Sequence, residues 1–96
     1  MRHRADANSN EIVDALHSVG AEVIDLSQAG NGIPDKAVYF RGKLELAEIK
    51  NGRDKMGWKY TPSQAKFRKR YSVPVLLFDT VESVYKWANF SKPAIV

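Results

Sequence analysis

The sequence predicts an α/β fold bordering on α+β: a mixed β-sheet flanked by helices, in the order α-β-β-β-α-β-α. Three stretches carry this reading. Residues 35–41 (DKAVYFR) and 43–50 (KLELAEIK) flank Gly42 and read as the two strands of a β-hairpin. Residues 73–79 (VPVLLFD) are a continuous apolar run of strand length, the pattern of a central strand buried on both faces. Between them, Thr61-Pro62-Ser63-Gln64 is a compact helix start, with Thr61 as N-cap, Pro62 as the first helical residue and Gln64 as the capping-box partner. A hairpin followed by a right-handed β–α–β crossover makes a mixed sheet with helices on its faces.

The remaining elements follow in order. Asn8 has the chemistry of an N-cap, with Glu11 at capping-box spacing. Ile12, Ala15, Leu16 and Val19 then recur at helical spacing, and Gly20 suits the C′ position, so a first helix is expected over 9–19. Residues 21–26 form a short strand and 27–34 a loop rich in Gly, Asn and Pro. The second helix runs from Pro62 to about Tyr71 with a narrow apolar stripe among Lys66, Arg68, Lys69 and Arg70. Thr80 caps a last helix over 81–90. Residues 1–7 are expected to fray and 51–60 to form a mobile basic loop, within one domain spanning 1–96.

Composition narrows the partners. There is no cysteine, so a disulfide framework and a thiolate zinc site are excluded. His3 and His17 are too few for an imidazole zinc centre. No apolar run reaches the length of a membrane span, and the first ten residues lack the apolar core of a secretory signal. A cytoplasmic location fits these features. The net charge of +4 is unevenly placed: residues 50–70 hold eight basic residues against Asp54 alone. A basic segment of this kind is the footprint of a polyanion partner, or a solvated face.

Side chains in a strand alternate faces, so Leu44, Leu46, Glu48 and Lys50 share one face of the second hairpin strand. Asp35, at the start of the first hairpin strand, can fold back towards Glu48 and Lys50. Two carboxylates and an ammonium at close range can hold a hard divalent cation and position a water. Each residue also has an ordinary structural reading: Asp35 as a turn former, Glu48 and Lys50 as a surface pair, Gln64 as a helix cap. Their joint order, beside the basic segment, favours the chemical reading.

Gly32-Ile33-Pro34-Asp35, then Glu48-Ile49-Lys50 one hairpin later, then Thr61-Pro62-Ser63-Gln64, resemble the PD-(D/E)xK nuclease motif in its VRR-NUC branch, the virus-type replication and repair nucleases. These are similar in turn to Holliday-junction-resolvase folds. The resemblance implies a restriction-endonuclease-like core and Mg²⁺- or Mn²⁺-dependent hydrolysis of DNA phosphodiesters, with structure-specific cutting of branched or four-way DNA as one option. It implies Asp35 and Glu48 as metal-binding carboxylates, with the backbone carbonyl of Ile49 as a further oxygen. Lys50 would orient the attacking water and stabilise charge on the phosphate. Glu11 corresponds to a first-helix glutamate that assists metal or water, and Gln64 to a glutamine that supports the site.

Arg53, Lys55, Lys59, Lys66, Arg68, Lys69 and Arg70 are the expected nucleic-acid contacts. Trp58 and Tyr60 would stack on bases or fold back onto the domain. A homodimer, common among small oligomers, would suit paired cuts in a four-way junction, and the small size fits a phage protein acting in host cytoplasm. Tyr85 and Trp87 would serve that dimer or pack in the core. The alternative function is a non-catalytic nucleic-acid-binding module that retains the fold.

Overall fold

The computed structural model describes residues 7–51 and 59–90; of the span 1–7 expected to fray, 1–6 lie outside the described residues, as do the middle of the basic loop and Arg53, Lys55 and Trp58. The element order is the expected one: α1 (Ala7–Ser18), β1 (Glu22–Asp25), β2 (Lys36–Phe40), β3 (Lys43–Ile49), α2 (Pro62–Arg70), β4 (Val75–Phe78) and α3 (Val81–Phe90). The four strands form a single sheet in sequential order, β1-β2-β3-β4. The first two pairings are antiparallel and β3–β4 is parallel, with α2 as its crossover. The architecture is α+β with a mixed sheet.

α1 begins at Ala7, so Asn8 lies inside the helix and not before it, contrary to the capping role expected from its type. The other end follows expectation. Ala21 N–H donates to the Leu16 carbonyl at 3.0 Å and Gly20 N–H to His17 at 3.0 Å, while Gly20 has φ +93°. That pair of bonds is a Schellman motif, which needs a left-handed residue at Gly20. β2 and β3 are joined by Arg41 and Gly42, with φ of 52° and 83°. Two successive positive φ values make the tight turn whose twist matches the strands it joins.

One face of the sheet carries the core. Ile12, Ala15 and Leu16 of α1 pack with Val84 and Ala88 of α3 against Val38, Phe40, Ala47 and Phe78 of the sheet. Trp87 stands between Phe40 and Phe78, with ring centroids 4.7 and 5.3 Å away. Core packing therefore accounts for Trp87, whereas Tyr85 stays exposed.

β4 departs from its expected place. Among the described residues it is an edge strand, paired with β3, and it starts at Val75, after Pro74, which has no N–H to enter the ladder. Leu76 and Phe78 point into the core face, and Val75 and Leu77 lie on the other, half-buried. That second face remains partly open: Ile24, Tyr39 and Leu44 are all exposed there. A continuous apolar run looks the same whether the strand is flanked by two neighbours or by one.

Candidate active site

The hairpin brings the two carboxylates together by register. Lys36 pairs with Ala47 at the end of the β2–β3 ladder, so one step further Asp35 faces Glu48. Asp35 N–H donates to Glu48 Oε1 at 3.3 Å, and Ile49 N–H donates to Asp35 Oδ2 at 3.4 Å. On its other side the Asp35 carbonyl accepts from Leu26 N–H at 2.7 Å, extending the β1–β2 pairing. Asp35 is thus fixed from both neighbouring strands, with the buried Pro34 before it.

Alternation sends Ala47 and Ile49 to the core and Glu48 to the opposite face. Glu48 is nevertheless only 1% exposed. Burial, and secondarily the Asp35 carboxylate, push the Glu48 carboxyl up to about 7. The Asp35 backbone N–H and the Lys50 ammonium act in the other direction and do not offset this. Two acids held this close, one of them out of water, form a donor pair whose ionised state calls for a cation.

Lys50 follows on the same face. Its backbone N–H donates to the Phe78 carbonyl at 3.0 Å, continuing the β3–β4 ladder. Its Nζ lies 2.7 Å from Gln64 Oε1 and 3.3 Å from the Lys59 carbonyl. Gln64 Oε1 also accepts the Thr61 N–H at 2.9 Å, and Gln64 N–H donates to Thr61 Oγ1 at 3.2 Å. The capping box and the grip on Lys50 share one oxygen. The capping and site-supporting readings of Gln64 are therefore compatible.

The start of α2 is held against the loop before Asp35. Gly32 has φ +75°, and a Cβ there would stand 2.0 Å from the Ser63 carbonyl oxygen. Only glycine fits, both for the left-handed backbone and for the approach. The glycine two residues before Pro34 is what lets the helix carrying Gln64 come this close.

The basic residues divide into two groups. Lys66, Lys69 and Arg70 line a shallow depression along α2, where Lys66, Lys69 and Arg70 are exposed. Lys59 is also exposed. Arg68 instead turns inward: its guanidinium lies 4.3 Å from the Tyr60 ring centroid, and its Nη2 donates to the Tyr60 hydroxyl. Lys50 Nζ lies 5.6 Å from the centroid of the same ring. Tyr60 thus folds back onto the domain, one of its two expected alternatives. From the sequence, Arg68 is expected among the nucleic-acid contacts, with no role apart from its neighbours. Its spacing of four from Gln64, which puts both on one face of α2, was the available signal.

Glu11 lies on α1. It lines a depression between α1 and α3 with Asp14, Ala15, Ser18, Val81 and Tyr85. Among the described residues, no third Asp, Glu, His or Cys joins Asp35 and Glu48 in a metal-holding cluster. Two carboxylates still suit Mg²⁺, which is usually held by one or two carboxylates together with substrate phosphates and waters. The pair, with Glu48 buried against Asp35, has the donor chemistry for such an ion.

No family model matches the chain, and no curated protein sequence matches it. A solved structure does: a VRR_NUC domain superimposes with a TM-score of 0.65 at 21% identity, covering 88% of this chain and 92% of the other. The fold is that of a VRR_NUC domain, the branch that the sequence motifs resemble. The described residues include no helix long and apolar enough to cross a membrane.

Proposed function

We propose that this chain is a metal-dependent DNA endonuclease that hydrolyses phosphodiester bonds at the Asp35–Glu48–Lys50 site. The observation that carries the reading is the register pair: Asp35 faces Glu48 at the end of the hairpin, with Glu48 buried and raised to about 7. A purely structural role offers no gain from burying one carboxylate against another. The VRR_NUC fold adds to it.

In this reading Asp35 and Glu48, with the Ile49 carbonyl, hold Mg²⁺ or Mn²⁺. The ion, when bound, supplies Lewis-acid polarisation of the phosphate and a lowered pKa for water. The chain's own residues do the rest. Asp35 Oδ2 is oriented by the Ile49 N–H, and Glu48 is kept out of bulk water, so the pair is arranged before substrate arrives. Lys50 directs its ammonium along a line fixed by Gln64 and Lys59, where it donates to a phosphate oxygen or the attacking water. Lys66, Lys69 and Arg70 neutralise phosphates further along the strand. The reading includes a homodimer acting on branched or four-way DNA, with the exposed Tyr85 and Phe90 of α3 as its candidate contact.

The test is cleavage of labelled duplex, single-stranded, flapped and four-way DNA with Mg²⁺, Mn²⁺ or EDTA, comparing wild type with Glu48→Gln. Metal-dependent cutting that vanishes in the variant is the expected result. Salt-sensitive binding without cutting under every metal would make the chain a nucleic-acid-binding module, acting through the same α2 face.

A further inference from the structure

We propose that Tyr60 and Arg68 are positioning residues for Lys50, with the Tyr60 ring as the wall behind the ammonium and Arg68 as the clamp on that ring. The inference rests on the nuclease reading for its consequence on turnover, and on the structure alone for its geometry. Lys50 Nζ is flanked by the Lys59 carbonyl at 3.3 Å, the Tyr60 ring at 5.6 Å, and Gln64 Oε1, which is itself bonded to Thr61 N–H. A lysine side chain has four rotatable carbons, and its direction is set only by what surrounds the head. A ring face is an electrostatically favourable wall for a cation.

Tyr60 lies at the end of a segment leading into α2 and precedes the helix, so it needs a hold of its own. Arg68 supplies it twice over, by stacking on the ring at 4.3 Å and by donating to the hydroxyl. The cost of this arrangement is visible. Arg68 Nε is buried with no hydrogen-bond partner among the described residues. In this position the Nε–H is turned away from solvent and offers no donor to a phosphate, while the Nη2 donor is taken up by Tyr60. Lys66, Lys69 and Arg70, on the same helix, remain exposed. Arg68 therefore acts through Tyr60 on Lys50, and the phosphate contacts fall to its neighbours.

The experiment compares Tyr60→Leu, Tyr60→Phe, Arg68→Met and Arg68→Lys with Lys69→Gln. Each variant is checked for a folded spectrum, and the two conservative changes keep the question answerable if the others unfold. Tyr60→Leu and Arg68→Met should lower kcat about 10- to 100-fold with KM little changed, as expected when a reacting group is misplaced. Tyr60→Phe keeps the wall and should retain kcat within about threefold, whereas Arg68→Lys, which keeps the charge but not the fork, should not. Lys69→Gln, at a phosphate contact, should instead act on binding, raising KM and lowering the salt slope of DNA binding by about one.

A second readout needs no turnover. The Lys50 ε-methylene protons, assigned by their disappearance in Lys50→Arg, should be displaced upfield by the Tyr60 ring. That displacement should vanish in Tyr60→Leu, diminish in Arg68→Met and persist in Tyr60→Phe. An Arg68→Met protein that loses salt slope while its kcat and Lys50 shifts stay put would overturn the proposal and make Arg68 a phosphate contact. If the wild type cuts no DNA with any metal, the nuclease reading falls, and the proton shifts still decide whether Tyr60 and Arg68 position Lys50.

Discussion

Glu48 is a carboxyl whose surroundings oppose its own charge. Its pKa is raised to about 7 from an ordinary 4.5, so between those values the folded protein holds a proton that the unfolded chain has lost. Stability from this group is fully present below about pH 4.5 and is lost as pH rises towards 7, a swing of about 3 kcal/mol. Denaturant unfolding in EDTA at pH 5, 6, 7 and 8 should show this decline, and Glu48→Gln should flatten it. Near pH 6, Mg²⁺ added to wild type should release protons, and added to the glutamine variant should not. Asp25 behaves oppositely. The Ser27 N–H and hydroxyl, and then Lys36 at 3.0 Å, lower it to about 2 from 3.8. Its contribution is present above about pH 4 and is lost as pH falls towards 2. Asp25 is exposed to water, so the effect is small. Asp25→Asn should therefore change acid unfolding slightly and leave stability above pH 5 as it was.

At the scale of elements, the site depends on how α2 meets the loop before β2. Gly32→Ala adds a Cβ that would stand 2.0 Å from the Ser63 carbonyl at a position of φ +75°. Backbone must move, so a loss of about 1–3 kcal/mol is expected, with turnover falling further than stability because Gln64 moves with the helix. Thr61→Ala should cost about 1 kcal/mol as a lost cap. Thermal unfolding and single-turnover cleavage measured together separate these two outcomes. This is also where sequence legibility was greatest and where it ended. The capping box at Thr61–Gln64, the hairpin around Gly42 and the helix 81–90 were readable because each is written in adjacent residues. The edge position of β4 was not, since burial from one side or two leaves the same apolar run. Nor was the inward turn of Arg68, which depends on Tyr60 folding back. Asp35 and Glu48 were legible as a pair because hairpin register is local, whereas the placement of Glu11 between α1 and α3 depends on tertiary packing.

Among the described residues, α1 and α3 cover one face of the sheet, and Glu48 and Lys50 lie on the other. Trp87, flanked by Phe40 and Phe78, ties α3 to both ends of the sheet. Trp87→Ala should cost about 3 kcal/mol or more by thermal unfolding, whereas Tyr85→Ala, being exposed, should change stability by less than about 0.5 kcal/mol. If Tyr85 serves a dimer, its variant should instead shift the sedimentation coefficient with protein concentration. Binding should be dominated by the α2 face, so affinity for DNA should fall steeply with salt whatever the sequence of the duplex.

The parallel pairing of β3 with β4 bears on the order in which the molecule is made. An antiparallel hairpin closes through two residues, so Asp35 and Glu48 can meet early and locally. A parallel pair must wait until its crossover has formed, because the closure entropy is paid before its contacts reward it. Gln64, Tyr60 and the ladder bond from Lys50 to Phe78 all arrive with that later step. The expected order is the acidic half of the site first and the basic half second, which pulse-labelling hydrogen exchange at the Ile49 amide, bonded to Asp35, and the Lys50 amide, bonded to Phe78, would resolve.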